Sequence, residues 1–197
     1  MLDCGLSGTS SNLVRYSKKI NMSQQKNLNL VFLLDDSGSM SSVESKVKGI
    51  VPKVFEQLEN NNVSGQVSLY TLNGGKDEIA FSNLKNRFYY EASGATPLYS
   101  CLIRAIKDNE KKNPNLLLIL SDGRAEDSVY REECAVELEK FQKDHPNCSV
   151  CFIVEGQDAI NCARNLGVFN TLNFTKSDMN MLGTLIHDEI MRAANTI

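Results

Sequence analysis

Three continuous apolar runs constrain the fold of this 197-residue chain more than any other feature of its sequence. They cover residues 30–34 (LVFLL), 116–120 (LLLIL) and 150–154 (VCFIV), and each one ends at a polar residue. Runs that are apolar on both faces are typical of strands in a parallel sheet covered by helices on each side. Segments with apolar residues at helical spacing lie between and after the runs, starting near residues 41, 96, 127 and 177. This alternation predicts a doubly wound α/β fold.

One segment departs from the parallel pattern. Residues 67–70 and 78–81 flank Asn73-Gly74-Gly75 and predict a hairpin. We therefore expect a mostly parallel central sheet with one short antiparallel strand at an edge and helices on both faces. A short helix near 158–166 and a strand near 169–174 are expected before the last helix and would complete the fold.

Three local predictions follow from the same patterns. Ser41 and Glu44 have the spacing of a capping box at the start of the first helix. Residues 83–95 carry no regular period, so they are expected to be irregular. In the helix predicted over 127–143, Val129 is expected to face the core together with Cys134, Leu138 and Phe141.

The chain divides near residue 26. Residues 1–26 are rich in Ser, Asn, Lys and Gln, which predicts an N-terminal tail or loose extension. Residues 27–197 predict one domain, because a chain of this size buries about 70% of its unfolded surface in a single core.

Composition argues against several classes of function. The net charge is -3 and the pI is about 5.5, whereas a nucleic-acid partner requires clustered Lys and Arg. No run approaches the ~20 apolar residues of a membrane span, and the first 20 residues lack the apolar stretch of a secretory signal. Several of the six cysteines fall at apolar positions of predicted elements, which indicates reduced core thiols. These features predict an intracellular, cytoplasmic protein.

Oxygen-bearing side chains follow two of the apolar runs and precede one helix. Asp35, Ser37 and Ser39 come after the first run, Thr96 begins the helix near residue 96, and Asp122 comes after the second run. Parallel sheets bind ligands outside the carboxyl ends of their strands, so these residues are candidates for one site. Hard oxygen donors without a thiol or imidazole suit Mg²⁺, Mn²⁺ or Ca²⁺ and not Zn²⁺ or copper.

The order of these motifs resembles the metal-ion-dependent adhesion site of von Willebrand factor A and integrin I domains. The matching fragments are D-x-S-x-S at 35–39, G-x-T-P-L at 94–98 and S-D-G at 121–123. Each fragment alone is weak, whereas the ordered set in matching structural contexts is specific. The resemblance covers about residues 28–194. Ala95 stands where many relatives have a second glycine, and Asp36 adds a carboxylate that either enriches the negative potential or points to solvent.

The resemblance implies a role for each matching residue. Ser37 and Ser39 would bind the ion directly, Thr96 directly or through water, and Asp35 and Asp122 mostly through water and hydrogen bonds. A Mg²⁺ held by neutral hydroxyls keeps an open position and remains a strong Lewis acid. An Asp or Glu side chain of a partner protein would fill that position. The expected function is therefore a non-enzymatic, metal-dependent protein-binding module of unspecified oligomeric state.

Other interpretations remain open. Asp35-Asp36 resembles the acidic pair of receiver-type proteins that handle phosphoryl groups, although the late strand at 150–154 is not followed by Lys. A phosphatase-like protein is a related alternative, but its D-x-D motif would need a carboxylate where this chain has Ser37. The domain could also be a structural subunit of an intracellular multiprotein or ATPase-associated complex with an unused metal site. His145 and His187 are the chain's two histidines, and without a G-x-S-x-G elbow they do not indicate a serine hydrolase. Cys148 and Cys151 form a lone C-x-x-C pair, which is weak as a zinc signal.

Overall fold

The computed structural model describes residues 25–123 and 125–197, and within these ranges six strands form one sheet. The strands are β1 (Lys26–Leu34), β2 (Val63–Thr71), β3 (Lys76–Ala80), β4 (Leu116–Ser121), β5 (Ser149–Val154) and β6 (Thr171–Asn173). Their order across the sheet is β3-β2-β1-β4-β5-β6. Neighbours are parallel except β2 and β3, which pair antiparallel at one edge. The predicted mostly parallel sheet with one antiparallel edge strand is confirmed.

In the described part of the chain, six α-helices cover the two faces of this sheet. One layer contains α1 (Glu44–Asn60), α2 (Phe81–Arg87) and α6 (Met179–Ala194). The other contains α3 (Leu98–Asn109), α4 (Arg131–Asp144) and α5 (Gly156–Asn165). Side chains alternate along a strand, so β1 sends Leu30 and Phe32 into the first layer and Val31 and Leu33 into the second. Each such buried side chain stabilises the fold by about 1.5–3 kcal/mol, which explains why the apolar runs are continuous.

The strand order reverses direction at β1. The chain moves from β1 to β2 on one side and later returns to place β4 on the other side, where Leu34 aligns with both Thr71 and Leu120. The carboxyl ends of β1 and β4 therefore lie side by side. This is the topological switch point, where sheets of this class open a crevice for a ligand.

Residues 83–95 are not wholly irregular, so that prediction was wrong in part. Helix α2 occupies residues 81–87 and buries Phe81 and Leu84. Phe81 packs edge-on against Phe55 of α1, with ring centroids 4.8 Å apart. Two apolar residues in seven positions are too few to establish a helical period, which is why the pattern was missed.

The ends of two helices also differ from the sequence-based expectation. Residues 38–43 form a 3₁₀ helix and α1 begins at Glu44, so Ser41 and Glu44 do not form a capping box. The Glu44 carboxylate instead accepts a hydrogen bond from the Ala92 backbone N–H, at 3.1 Å. Val129 lies in a 3₁₀ turn before α4 and is 82% exposed, which corrects its predicted inward position.

The predicted tail lies mostly outside the described residues, and β1 already begins at Lys26. The five cysteines at positions 101, 134, 148, 151 and 162 carry free thiols, and all except Cys148 are buried, while Cys4 is outside the described residues. No helix in the described part of the chain has the length and apolar character required to cross a membrane.

Candidate metal centre

Asp35 begins the site at the carboxyl end of β1. Its side chain is fully buried, and its backbone N–H donates to the carbonyl of Leu120 on the neighbouring strand, at 2.9 Å. One carboxylate oxygen accepts from the Ser37 N–H at 2.8 Å and the other accepts from the Ser121 hydroxyl at 2.6 Å. Burial raises the pKa of this carboxyl, and the hydrogen bonds from Ser121 and Ser37 oppose that shift. Asp35 therefore fixes the path of the loop that carries the two serines.

A continuous row of oxygen atoms runs from this loop to the end of β4. The Ser37 and Ser39 hydroxyl oxygens are 3.0 Å apart, and Ser39 Oγ donates to Asp122 Oδ1 at 2.8 Å. Ser37 and Ser39 follow the end of β1, and Asp122 follows the end of the adjacent strand β4. Three of the five predicted ligands are thus in direct contact through their oxygens.

Thr96 reaches the same crevice from the segment that precedes α3. A β-carbon added at Gly123 would lie 3.9 Å from Ser39 Oγ and 4.0 Å from Thr96 Oγ1, so both hydroxyls border the same space. The Thr96 carbonyl accepts from the N–H groups of Leu98 and Glu126, at 2.8 and 3.0 Å, which anchors this segment. Its hydroxyl forms no hydrogen bond with another described residue, although the residue is only 5% exposed.

Two backbone contacts hold the Thr96 segment against the serine loop. The Gly38 N–H donates to the Gly94 carbonyl at 3.1 Å, and the Ser93 N–H donates to the Asp36 carbonyl at 2.7 Å. Gly94 adopts a φ of 81°, a conformation that favours glycine. A side chain there would also approach Asn73 Oδ1 to 2.8 Å, so glycine is required on both grounds.

Asp36 does not face the oxygen row. Its side chain is 5% exposed, and one carboxylate oxygen accepts from the Asn73 backbone N–H at 2.8 Å and from Asn73 Nδ2 at 3.1 Å. Asn73 Nδ2 in turn donates to the Ala95 carbonyl at 2.7 Å. The structure thus replaces both sequence-based alternatives for Asp36, since its side chain fastens the β2–β3 turn to the Thr96 segment.

Tyr90 supports the loop that begins at Asp35, and the sequence did not indicate this contact. Its hydroxyl donates to the Asp35 backbone carbonyl at 2.7 Å, and the side chain is 1% exposed. Burial raises the pKa of this phenol, and the carboxylates of Asp35, Asp36 and Asp122 raise it further, so the group stays a donor. A tyrosine in a segment without a regular period gave no signal of this contact.

Lys176 is a second residue that the sequence did not indicate. It lies between β6 and α6, and its ammonium forms an ion pair with Asp122 Oδ2. The same ammonium donates to the Ser39 backbone carbonyl at 2.8 Å and stands 3.7 Å from Glu155 Oε2. Its alkyl chain and ammonium are 27% exposed, so the contact is partly shielded from water.

The donor set fits a hard divalent cation. The crevice offers three hydroxyls and two carboxylates, and no thiol or imidazole of residues 25–123 or 125–197 hydrogen-bonds to any of them. Asp122 Oδ2 is buried and accepts no hydrogen bond from the described residues, although the Lys176 ammonium neutralises it. The described residues contain no cluster of three or more His, Cys, Asp or Glu side chains suited to a metal. A cation in this crevice would therefore depend on the serine and threonine hydroxyls as well as the carboxylates.

Comparison with known proteins places the chain in no family. No protein-family model matches it, and neither does any curated protein. Among solved structures, a mutant of the PilB minor pilin from Streptococcus sanguinis superposes with a TM-score of 0.61 at 11% sequence identity. That match covers 89% of this chain and 63% of the pilin, so the chain spans less than two thirds of that protein. At this identity the likeness concerns the fold alone.

A carbohydrate esterase of family two from Cellvibrio japonicus also matches, over 86% of this chain and 62% of the esterase. Its sequence identity is 10% and its TM-score is 0.40. A score this low carries no argument about activity.

Proposed function

We propose that this chain is a divalent-metal-dependent protein-binding module of the von Willebrand factor A and integrin I type. The observation that carries the proposal is the oxygen row from Ser37 through Ser39 to Asp122, with the Thr96 hydroxyl on the same crevice. These residues lie at the switch point of the sheet, where ligands bind in folds of this class. The metal would be Mg²⁺, with Mn²⁺ or Ca²⁺ as alternatives.

Each residue of the site has a separate task in this proposal. Ser37, Ser39 and Thr96 would hold the cation through their hydroxyl oxygens. Asp35 orients Ser37 through the 2.8 Å hydrogen bond to its N–H, and Asp122 orients the Ser39 hydroxyl. When bound, the cation would supply a Lewis-acidic position for a carboxylate oxygen of a partner protein. The neutral hydroxyls leave much of the metal charge available to that carboxylate.

The positions of the two histidines favour a binding function over that of a serine hydrolase. His145 packs against Phe141, with ring centroids 4.6 Å apart, and His187 contacts Asn61 and Asp188. Neither ring hydrogen-bonds to Ser37 or Ser39. A serine nucleophile requires a base within hydrogen-bonding reach, and no histidine fills that role here.

Water-proton relaxation with bound Mn²⁺ tests the proposal directly. We expect the wild-type chain to bind Mn²⁺ and to increase the relaxation rate of water, because open coordination positions exchange with solvent. A short peptide that carries one Glu should then lower that rate, whereas the same peptide with Gln should not. A matched pair of variants, Ser37→Ala in the site and Ser45→Ala on α1, should respectively weaken and preserve Mn²⁺ binding. Equal responses to the two peptides would refute carboxylate capture, and wild-type Mn²⁺ affinity in Ser37→Ala would refute the site.

Lys176 gives a specific reason to retain a second candidate, a receiver-like or phosphatase-like protein. The sequence had no Lys after the strand at 150–154, but a later lysine pairs with Asp122 at the rim of the sheet. An aspartate beside a lysine and an acidic pair is the arrangement such proteins require. Incubation with acetyl phosphate and Mg²⁺, followed by mass spectrometry, separates the two functions. A phosphoryl group on Asp122 would favour the second candidate, while the 1% exposure of the Asp122 side chain leads us to expect none.

A third interpretation is a structural subunit whose metal site is unused. Co-purification of partners with the wild type and with Asp122→Ala would distinguish it. A partner retained equally by both proteins, in Mg²⁺ and in EDTA, would favour the structural role.

A further inference from the structure

Lys176 brings a positive charge into the crevice proposed for the cation. Its ammonium pairs with Asp122 Oδ2 and donates to the backbone carbonyl of Ser39 at 2.8 Å. Asp122 and Ser39 are both residues of the proposed metal site. Two cations that share one carboxylate repel each other, and the repulsion is strong where water is partly excluded. The ammonium and a divalent cation are therefore in competition for Asp122.

The backbone around Lys176 is held in place independently of its ammonium. The Lys176 N–H donates to Glu155 Oε1 at 2.7 Å, and Thr175 and Asp178 form an isolated bridge across it. An additional hydrogen bond joins the hydroxyls of Thr175 and Ser177, at 3.1 Å. A movement of the ammonium therefore requires rotation of the side chain only.

A second carboxylate, that of Glu155, lies close enough to pair with the Lys176 ammonium. Glu155 Oε2 is 3.7 Å from Lys176 Nζ, whereas the Ser39 carbonyl is 2.8 Å from the same atom. A cavity of about 470 Å³ is lined by Asp122, Glu155 and the first residues of α5. The displaced ammonium can thus remain paired, because it already lies within ion-pair distance of the Glu155 carboxylate.

We propose that Lys176 is an internal counter-ion that competes with the divalent cation for Asp122 and transfers to Glu155 when the cation binds. This inference rests on the proposed metal site and adds its regulation. In the absence of the cation the lysine neutralises Asp122 and keeps the oxygen row intact. Partner capture would then be limited by the cation concentration needed to displace Lys176, so the residue sets the threshold for binding.

Metal affinity measured by calorimetry tests this competition without any partner. We expect Lys176→Met to bind Mn²⁺ at least about tenfold more tightly than the wild type, because the wild type must first break the ion pair between Lys176 and Asp122. Lys176→Arg keeps the charge and should bind near wild-type strength. Lys140→Met is the matched control, since Lys140 pairs with Glu110 on the far side of the chain's fold. Lys176→Gln is a second neutral variant, and circular dichroism checks the folding of each protein.

Glu155→Gln tests the proposed destination of the ammonium. Glutamine can still accept from the Lys176 N–H through its amide oxygen, but it offers no charge to the displaced side chain. We expect Glu155→Gln to weaken Mn²⁺ binding in the wild-type background and to have little effect in the Lys176→Met background. Such non-additivity is the signature of two residues that act through one another.

The outcomes separate this inference from the proposed function. Unchanged Mn²⁺ affinity in Lys176→Met and Lys176→Gln, with measurable binding by the wild type, would overturn the competition and leave the metal site standing. Additive effects of the Glu155 and Lys176 changes would overturn the transfer. Absence of Mn²⁺ binding in every variant, the wild type included, would overturn the metal site and the competition together.

Discussion

Thr96→Val is the substitution that most directly separates metal binding from folding. Valine replaces the hydroxyl by a methyl group of similar size at a position that is 5% exposed. The hydroxyl forms no hydrogen bond with a described residue, so its removal breaks no bond among the residues that the structure describes. The metal-free variant should therefore be about as stable as the wild type, within about 1 kcal/mol.

The metal-bound state should respond in the opposite direction. A ligand at a hundred times its dissociation constant stabilises a protein by about 2.7 kcal/mol. For a domain of this size, each kcal/mol raises Tm by about 2–4 °C, so saturating Mg²⁺ should raise Tm of the wild type by about 5–11 °C. Thr96→Val should lose most of that increase, because one hydroxyl ligand is gone.

Differential scanning calorimetry in Mg²⁺ and in EDTA measures both quantities on the same samples. Thr96→Ser is the control, since it keeps the hydroxyl and should retain most of the Mg²⁺-dependent rise in Tm. A full rise in Thr96→Val would refute the assignment of Thr96 as a ligand. A loss of more than about 1 kcal/mol in EDTA would refute the argument that its hydroxyl has no structural role.

Four further predictions concern stability and thiol reactivity. Gly65→Ala should destabilise the fold by at least about 3 kcal/mol in urea titration, because its β-carbon would lie 1.8 Å from the Leu28 carbonyl oxygen. Gly49→Ala meets no atom within 4 Å in helix α1 and should instead stabilise by about 0.5–1 kcal/mol. Tyr90→Phe should cost about 1–2 kcal/mol, because the buried Asp35 carbonyl loses its donor; an unchanged urea midpoint would contradict that contact. Burial raises the pKa of Cys101 to about 11 and the pKa of three further thiols to about 12, those of Cys134, Cys148 and Cys151. In a Cys4→Ser background at pH 8, these thiols should react with Ellman's reagent only after unfolding, and rapid reaction of the native protein would show that they are accessible.

The sheet could be predicted from the sequence because burial on both faces leaves a strong local signal. Runs such as residues 30–34 and 116–120 contain no polar residue, which few structures other than a covered parallel strand require. The hairpin was equally visible from Asn73-Gly74-Gly75. Helix α2 and the 3₁₀ turn at Val129 were missed, because segments of three to seven residues contain too few positions to establish a period.

The candidate site was predictable where its residues stand next to strand ends. Ser37, Ser39 and Asp122 do converge, since parallel pairing fixes where β1 and β4 end relative to each other. Tyr90 and Lys176 were not predictable, since their contacts depend on how loops return to the site. A loop's path is determined by its own hydrogen bonds, such as the one from Lys176 N–H to Glu155, and these leave no pattern in the sequence.

The same atoms serve the fold and the proposed metal site, and this decides which substitutions are informative. Asp35 accepts two hydrogen bonds while fully buried, so Asp35→Ala would leave the Ser121 hydroxyl without its acceptor and disturb the serine loop whether or not a metal binds. Loss of partner binding in that variant would therefore not identify the cause. Thr96 and Lys176 differ from Asp35. The Thr96 hydroxyl has no hydrogen-bond partner among the described residues, and the Lys176 ammonium would oppose the proposed cation. Removal of the first should weaken metal binding and removal of the second should strengthen it, in a fold that survives both changes. Opposite shifts of this kind are not produced by general destabilisation, which lowers metal affinity in either variant.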